Sequence, residues 1–334
     1  MGVLVQPGTL LLIIVAGYLL KRAGVFGAND YRVVQAAEFN LVLPGAIIYS
    51  FATNPHHVSF LLISLFGLIA ALIPPLCVFF TSRHTPVANR AFRMLNVSGF
   101  NIGCFSFPML QALIGPQVLV AAAMFDIGNT TMVAAGTTVM TQSLLRIKPG
   151  IPLPDQHPGS APTLPADNLS DSDARRLHRR SLLRGVAKGF FGSPSFDVYL
   201  LMVAFMLAGI NLPGWVALVS KPFAGANAFC SMLMVGMLMD LPACRDDFAA
   251  VGKVLAWRLP CGVAFAAAAW FLLPFDPLIR QAVALCCLSP TAIFATMYTD
   301  KVLGNAKLAG FTLALTAVIS TFMMVAAHLL LAGL

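Results

Sequence analysis

Ten runs of about 20 mostly apolar residues dominate this sequence, near 7–22, 33–53, 59–81, 92–112, 117–142, 194–212, 216–240, 248–272, 276–298 and 305–332. A helix needs about 20 such residues to cross a hydrocarbon core roughly 30 Å thick. No water is present there to satisfy a free peptide group, so a chain that crosses repeatedly must do so as helices or as a closed barrel, and runs of this length fit helices. Composition agrees. The chain is 58% hydrophobic and 10% charged, whereas a soluble domain carries about 25% charged residues. The reading is an all-α integral membrane protein with ten transmembrane helices. Lys21 and Arg22 follow the first run and no basic residue precedes it, so that run is read as a retained helix rather than a signal peptide.

Charge then orients the chain. The formal net charge is +8, and its distribution points to topology rather than to nucleic acid. With the N-terminus outside, the inward loops hold Lys21, Arg22 and Arg32, then Arg83, Arg90 and Arg93, then a central basic cluster, then Arg245, Lys253 and Arg258, then Lys301 and Lys307. The outward loops hold only Lys221 and Arg280. Under the positive-inside rule both termini are expected outside a cell (inner) membrane, with the central linker cytoplasmic. The seven cysteines show no paired spacing, so neither a disulfide framework nor a metal site is expected, and no cofactor.

Residues 146–192 break the apolar pattern with prolines, small polar residues and a basic end. Their first part reads as a disordered linker. The segment "ARRLHRRSLLRGVAKGFF" reads either as an amphipathic helix on the anionic leaflet or as solvated stop-transfer charges. The linker divides a first five-helix repeat, 1–145, from a second, 193–334. Because five is odd, the second half runs through the membrane in the opposite sense, the pattern of an inverted-topology repeat.

The fourth run of each half carries a proline preceded by a serine: Pro108 in "NIGCFSFPML" and Pro290 in "CCLSPTAIFA". A proline inside a helix removes a donor and clashes with the carbonyl four residues back, costing about 3 kcal/mol. In lipid, broken backbone survives only against protein or an aqueous cavity. One such proline usually marks a kink; two at matching positions imply a cavity between broken helices. The helix halves beyond the breaks would present N-terminal partial positive charge to it, which suits a carboxylate. The expected substrate-binding residues are Asn101, Ser106, Pro108, Ser289, Pro290 and Thr291.

The stretches "AAEFNLVLPGAIIYSFATNP", "FNIGCFSFPMLQALIGP", "FCSMLMVGMLMDLP" and "ALCCLSPTAIFATMYTDK" resemble, in order and spacing, the second, fourth, seventh and ninth spans of the auxin efflux carrier family, which includes the plant auxin carriers and bacterial malonate or malate carriers. The resemblance covers both halves but not the linker. It implies a fold similar to bile acid sodium symporters and sodium/proton antiporters, with a scaffold domain, a transport domain containing crossed helices 4 and 9, and a homodimer through the scaffold. Asn101 matches the family's asparagine before the fourth-span proline, and Pro108 and Pro290 match its crossover prolines. By the same resemblance Asn40 and Pro44 line the site, although Pro44 alone would equally serve to bend its helix. The Asn-Pro pair of the plant carriers is absent from the fourth span and the linker is far shorter than theirs, so a bacterial-type member is expected, with indole acetate one candidate substrate among several.

Intramembrane charges are costly and are functional candidates by default. Asp126, Asn129 and Thr130 share one face of the fifth span, where Asp126 and Asn129 either couple transport to protons or act as interhelical glue. Glu38 and Asp240 lie nearer the predicted cytoplasmic ends, where a structural role is expected. No metalloprotease or serine-hydrolase motif is present, and no enzyme activity is expected. The resulting expectation is a secondary transporter or uniporter that moves a small organic anion by alternating access. The alternative is a sodium- or proton-coupled exchanger of the same fold, and an anion channel stands third.

Overall fold

A computed structural model describes residues 2–55, 57–165, 194–240 and 245–332. The described residues form twelve helices and no strand. They are α1 (Gly2–Arg22), α2 (Tyr31–Thr53), α3 (Leu61–Thr81), α4 (Val87–Val97), α5 (Ile102–Leu113) and α6 (Pro116–Leu145). Then follow α7 (Pro194–Leu207), α8 (Gly214–Leu238), α9 (Arg245–Leu272), α10 (Pro277–Cys287), α11 (Ile293–Leu303) and α12 (Ala306–Leu331). Seven of these, α1, α2, α3, α6, α8, α9 and α12, are long and apolar enough to cross a membrane. Large apolar side chains stand outward along them, Leu218 at 73% and Phe271 at 75% exposure among them. Such a surface is costly in water and neutral against lipid.

The runs 92–112 and 276–298 each fold as two helices. α4 and α5 are separated at 98–101, and α10 and α11 at 288–292. The second interruption contains Pro290, as expected. The first contains no proline: it is made by Gly99, whose φ of +71° is a left-handed conformation that side chains with a Cβ resist. Pro108 instead sits inside α5. The preceding residues Ile102–Ser106 form a π-turn, in which the Phe107 amide reaches back to Ile102. That wider turn makes room for a ring that would otherwise press on the Cys104 carbonyl. The same device recurs in α2, where the π-turn Glu38–Val42 directly precedes Leu43 and Pro44. The expectation that Pro108 breaks its helix is therefore corrected.

Helix α8 packs against α1 and α2, α6 against α3, α10 against α9, and α7 against α2. Three of these pairs bring a glycine against a facing carbonyl, among them α9 and α10, where a Cβ on Gly262 would fall 2.8 Å from that of Cys287. A Cβ on Gly236 would fall 2.1 Å from the Ile14 carbonyl and one on Gly17 would fall 2.6 Å from that of Leu233, joining α1 and α8. Gly67 and Gly128 do the same for α3 and α6, against the carbonyls of Phe125 and Ser64. Small residues at such places let backbones touch, the main source of helix adhesion in lipid. The Lys21 ammonium meets the Asp240 carboxylate at 2.8 Å and ties the C-terminal ends of α1 and α8 together.

Residues 147–165, expected as disordered linker, are folded. Ile147, Leu153 and Leu164 are buried with Val78, Val87 and Leu95. The Val87 amide donates to Ala161, the Leu164 amide donates to Leu145, and Arg90 donates to the Pro162 carbonyl. Prolines already hold the backbone extended, so three apolar anchors suffice to fix it. The basic segment read as a candidate amphipathic helix lies outside the described residues.

Candidate functional site

The two interruptions meet. The Asn101 amide donates to the Pro290 carbonyl at 3.0 Å, the Ser106 and Ser289 hydroxyls hydrogen-bond to each other, and the Thr291 hydroxyl donates to the Asn96 carbonyl at 3.1 Å. Broken backbone leaves buried peptide groups that must find partners. Asn129 of α6 supplies two of them: its Oδ1 accepts from the Phe100 amide at 2.9 Å and its Nδ2 donates to the Phe100 carbonyl at 2.8 Å. Ser98 is held by the Ala71 carbonyl and the Thr137 hydroxyl.

Arg258 holds the other orphan carbonyls. It is buried in α9 and donates to Val97 at 3.0 Å, to Ser289 at 2.9 Å and to Pro290 at 2.7 Å. Val97 ends α4, and 289 and 290 follow the end of α10, so one guanidinium sits at the negative ends of both leading half-helices. The ring of Phe100 lies 5.1 Å from its centre. Only arginine has a planar fork able to reach three acceptors at once. Its place corrects the expectation that Arg258 is a cytoplasmic loop charge. The sequence signal was available: an arginine ten residues inside an apolar run is intramembrane.

A cavity of about 40 Å³ opens beside this junction, enough for about three waters. Its walls include Asn101, Ile102 and Gly103 at the start of α5, Ala292 and Ile293 at the start of α11, Asp126, Asn129 and Thr130 of α6, Tyr199 of α7 and Phe39 of α2. The N-terminal ends of both following half-helices thus face the same space. Asn101 is 5% exposed and its Nδ2 has no hydrogen-bond partner among the described residues. Asp126 is fully engaged: Oδ1 accepts from Asn129 at 2.8 Å and from Thr130 at 3.3 Å, and Oδ2 accepts from the Tyr199 hydroxyl at 2.7 Å.

Of the residues singled out in the sequence, Asn101, Asp126 and Asn129 line this cavity. Ser106, Ser289, Pro290 and Thr291 lie in the junction behind it, engaged with one another or with backbone. Pro108 is buried in α5. Asn40 is exposed and donates to its own helix at Ala36. Tyr199 was not foreseen, since a single tyrosine in an apolar run carries no signal of its partner. Among the described residues no cluster of three or more His, Cys, Asp or Glu is placed to hold a metal ion.

A family profile described as "Membrane transport protein" matches residues 5–327. The chain belongs to this family, that of the auxin efflux carriers. A further relative within reach is an uncharacterized transporter from Methanothermobacter thermautotrophicus, 23% identical over 293 residues, covering 86% of this chain and 85% of that protein. In this membrane transport protein the match runs through both interruptions and the elements that wall the cavity. The chain is a multi-pass membrane transporter.

Proposed function

We propose that this transporter carries a small organic anion by alternating access, with the carboxylate held at the junction of the two interrupted segments. The side-chain Nδ2 of Asn101, unpartnered among the described residues, carries this reading. It is a buried donor on a residue that lines a cavity where two helix N-termini also face, and a carboxylate would complete all three. A cavity with room for about three waters fits a state closed around its site, from which the walls must part to admit a ligand.

The arrangement also supports a ten-span inverted repeat. The segments 87–113 and 277–303 have equal length and are interrupted at equivalent places. The Lys21–Asp240 pair brings the ends of the first and seventh runs to one side, as two odd-numbered spans of such a chain require. In this reading α1, α2, α7 and α8 form the scaffold, and the remaining helices move as a body carrying the junction. A second reading, an ion exchanger of the same architecture, is favoured by Asp126, a carboxylate in the cavity wall.

Charge movement in proteoliposomes of the purified protein tests this. Indole acetate, malonate, malate and a neutral control would be applied with pH and sodium varied independently. A saturable current with one carboxylate is expected. Asn101→Ala should weaken its binding by about 1.5–3 kcal/mol, a tenfold loss or more, while leaving thermal stability nearly unchanged because its side-chain Nδ2 has no bond to lose and its backbone N–H keeps Pro290. Silence toward every anion with a sodium- or proton-driven signal would replace the anion carrier by the exchanger.

A further inference from the structure

Glu38 is wholly buried and has no countercharge among the described residues. It opens the π-turn of α2. Its Oε1 accepts from the Ser231 hydroxyl of α8 at 2.8 Å and is 3.8 Å from the Cys104 thiol of α5. Its Oε2 has no partner among the described residues. The other titratable groups facing it are the thiols of Cys104 and Cys230, with Asp126 beyond Cys104. Among the described residues no Lys, Arg or His forms an ion pair with it.

An ionised carboxylate in that place would exchange its hydration for one full hydrogen bond, and such groups neutralise rather than remain charged. Its position matters as much as its burial. The π-turn that Glu38 opens faces the π-turn Ile102–Ser106: Leu43 packs on Gly103, whose Cβ would fall 2.6 Å from the leucine methyl. Asn227 of α8 donates to the Gly103 carbonyl at 3.0 Å. The carboxyl is therefore clamped between α2 and α8 on one side and the segment following the first interruption on the other. Glu38 is not among the residues lining the central cavity.

We propose that Glu38 is a proton-binding site in the seam between α2, α8 and α5. It is protonated while the seam is closed and loses its proton to water when α5 leaves α2 and α8. The proton is taken from water to form the Oε2–H bond and returned to water when that bond breaks. The opening step rests on the alternating-access reading; the protonated state in the closed seam does not.

Infrared spectroscopy of the full chain in lipid would read the carbonyl stretch of a protonated carboxylic acid. At neutral pH the parent protein should show this band, Glu38→Gln should lose it, and Asp126→Asn should keep it. Absence of the band in the parent, or its survival in Glu38→Gln, would overturn the assignment. Should Glu38→Gln not fold, Ser231→Ala removes the bond to Oε1 and should shift the band without abolishing it; an unshifted band counts against Glu38. In proteoliposomes, Glu38→Gln should still exchange labelled malonate across the membrane but lose accumulation driven by a pH gradient. Unchanged gradient-driven accumulation would overturn the coupling while leaving the carrier intact. A band lost in Glu38→Gln with no carboxylate transport by the parent would instead overturn the carrier reading and leave the proton site standing.

Discussion

The two interruptions do the same job with different chemistry. At 288–292 a proline deprives the helix of a donor, and the chain turns there. At 98–101 no proline is present, and a glycine at φ +71° makes the turn, with Asn129 replacing the lost backbone partners of Phe100. What the two share is Arg258, which donates to the carbonyls of Val97, Ser289 and Pro290. A break in a membrane helix is thus defined less by the residue that starts it than by the groups that satisfy it.

The largest effect is expected where the two breaks depend on one residue. Arg258→Met would leave the buried carbonyls of Val97 and Ser289 without donors, at about 1–3 kcal/mol each, and that of Pro290 with the Asn101 backbone N–H alone; it should collapse thermal stability in detergent and abolish transport. Arg258→Lys should recover only part of both, because an ammonium is a point charge and cannot span the three acceptors. Recovery to the level of the parent would show that charge alone suffices.

Gly99→Ala tests the first break by itself. The left-handed conformation costs an L-residue about 1–2 kcal/mol, and the new Cβ would fall 2.4 Å from a Val133 methyl, so a total near ~2–3 kcal/mol is expected from a melting curve. Pro108→Ala should leave expression intact and cut transport roughly tenfold, about 1.4 kcal/mol. It restores an N–H that lets the π-turn relax to α-helix, turning 102–106 out of register with α2 and α8. Hydrogen exchange at residue 108 and its neighbours would report that relaxation, and full transport would show that the π-turn is dispensable. Pro290→Ala should have the smallest effect, below ~1 kcal/mol, because Arg258 and the Asn101 amide hold that carbonyl whichever residue carries it. A larger loss would mean that the second break, like the first, is made by its own residue.

The helical class was legible because lipid imposes it: apolar runs of membrane length leave few alternatives. The region of each interruption was legible too, since polar and ring-constrained residues inside apolar runs are expensive. The first break was placed at Pro108 because the local propensity of proline is plain in a sequence, whereas a π-turn that absorbs it is not. Asn101, Asp126 and Asn129 stood out as polar groups in apolar surroundings. Their division of labour did not, because Asn129 serves the backbone and Asn101 does not, and only tertiary contacts distinguish them. Arg258 was counted with loop charges, and Glu38 was set near a span end; in both cases a few residues of displacement along a helix separate water from the interior. Residues 147–165 were read from composition, which registers prolines but not that three apolar side chains among them find a partner surface.

The glycine contacts of α1 with α8 and of α3 with α6 have a mechanical corollary. Where a missing methyl group lets two backbones touch, neither rod can slide along the other without colliding with a carbonyl, so each pair is stiff against shear. Gly103 of α5 and Gly310 of α12 meet α2 and α8 in the same way, at the Leu43 methyl and the Leu238 carbonyl, so those faces too must part before they can slide. Beams locked in this way move by separating, not by sliding.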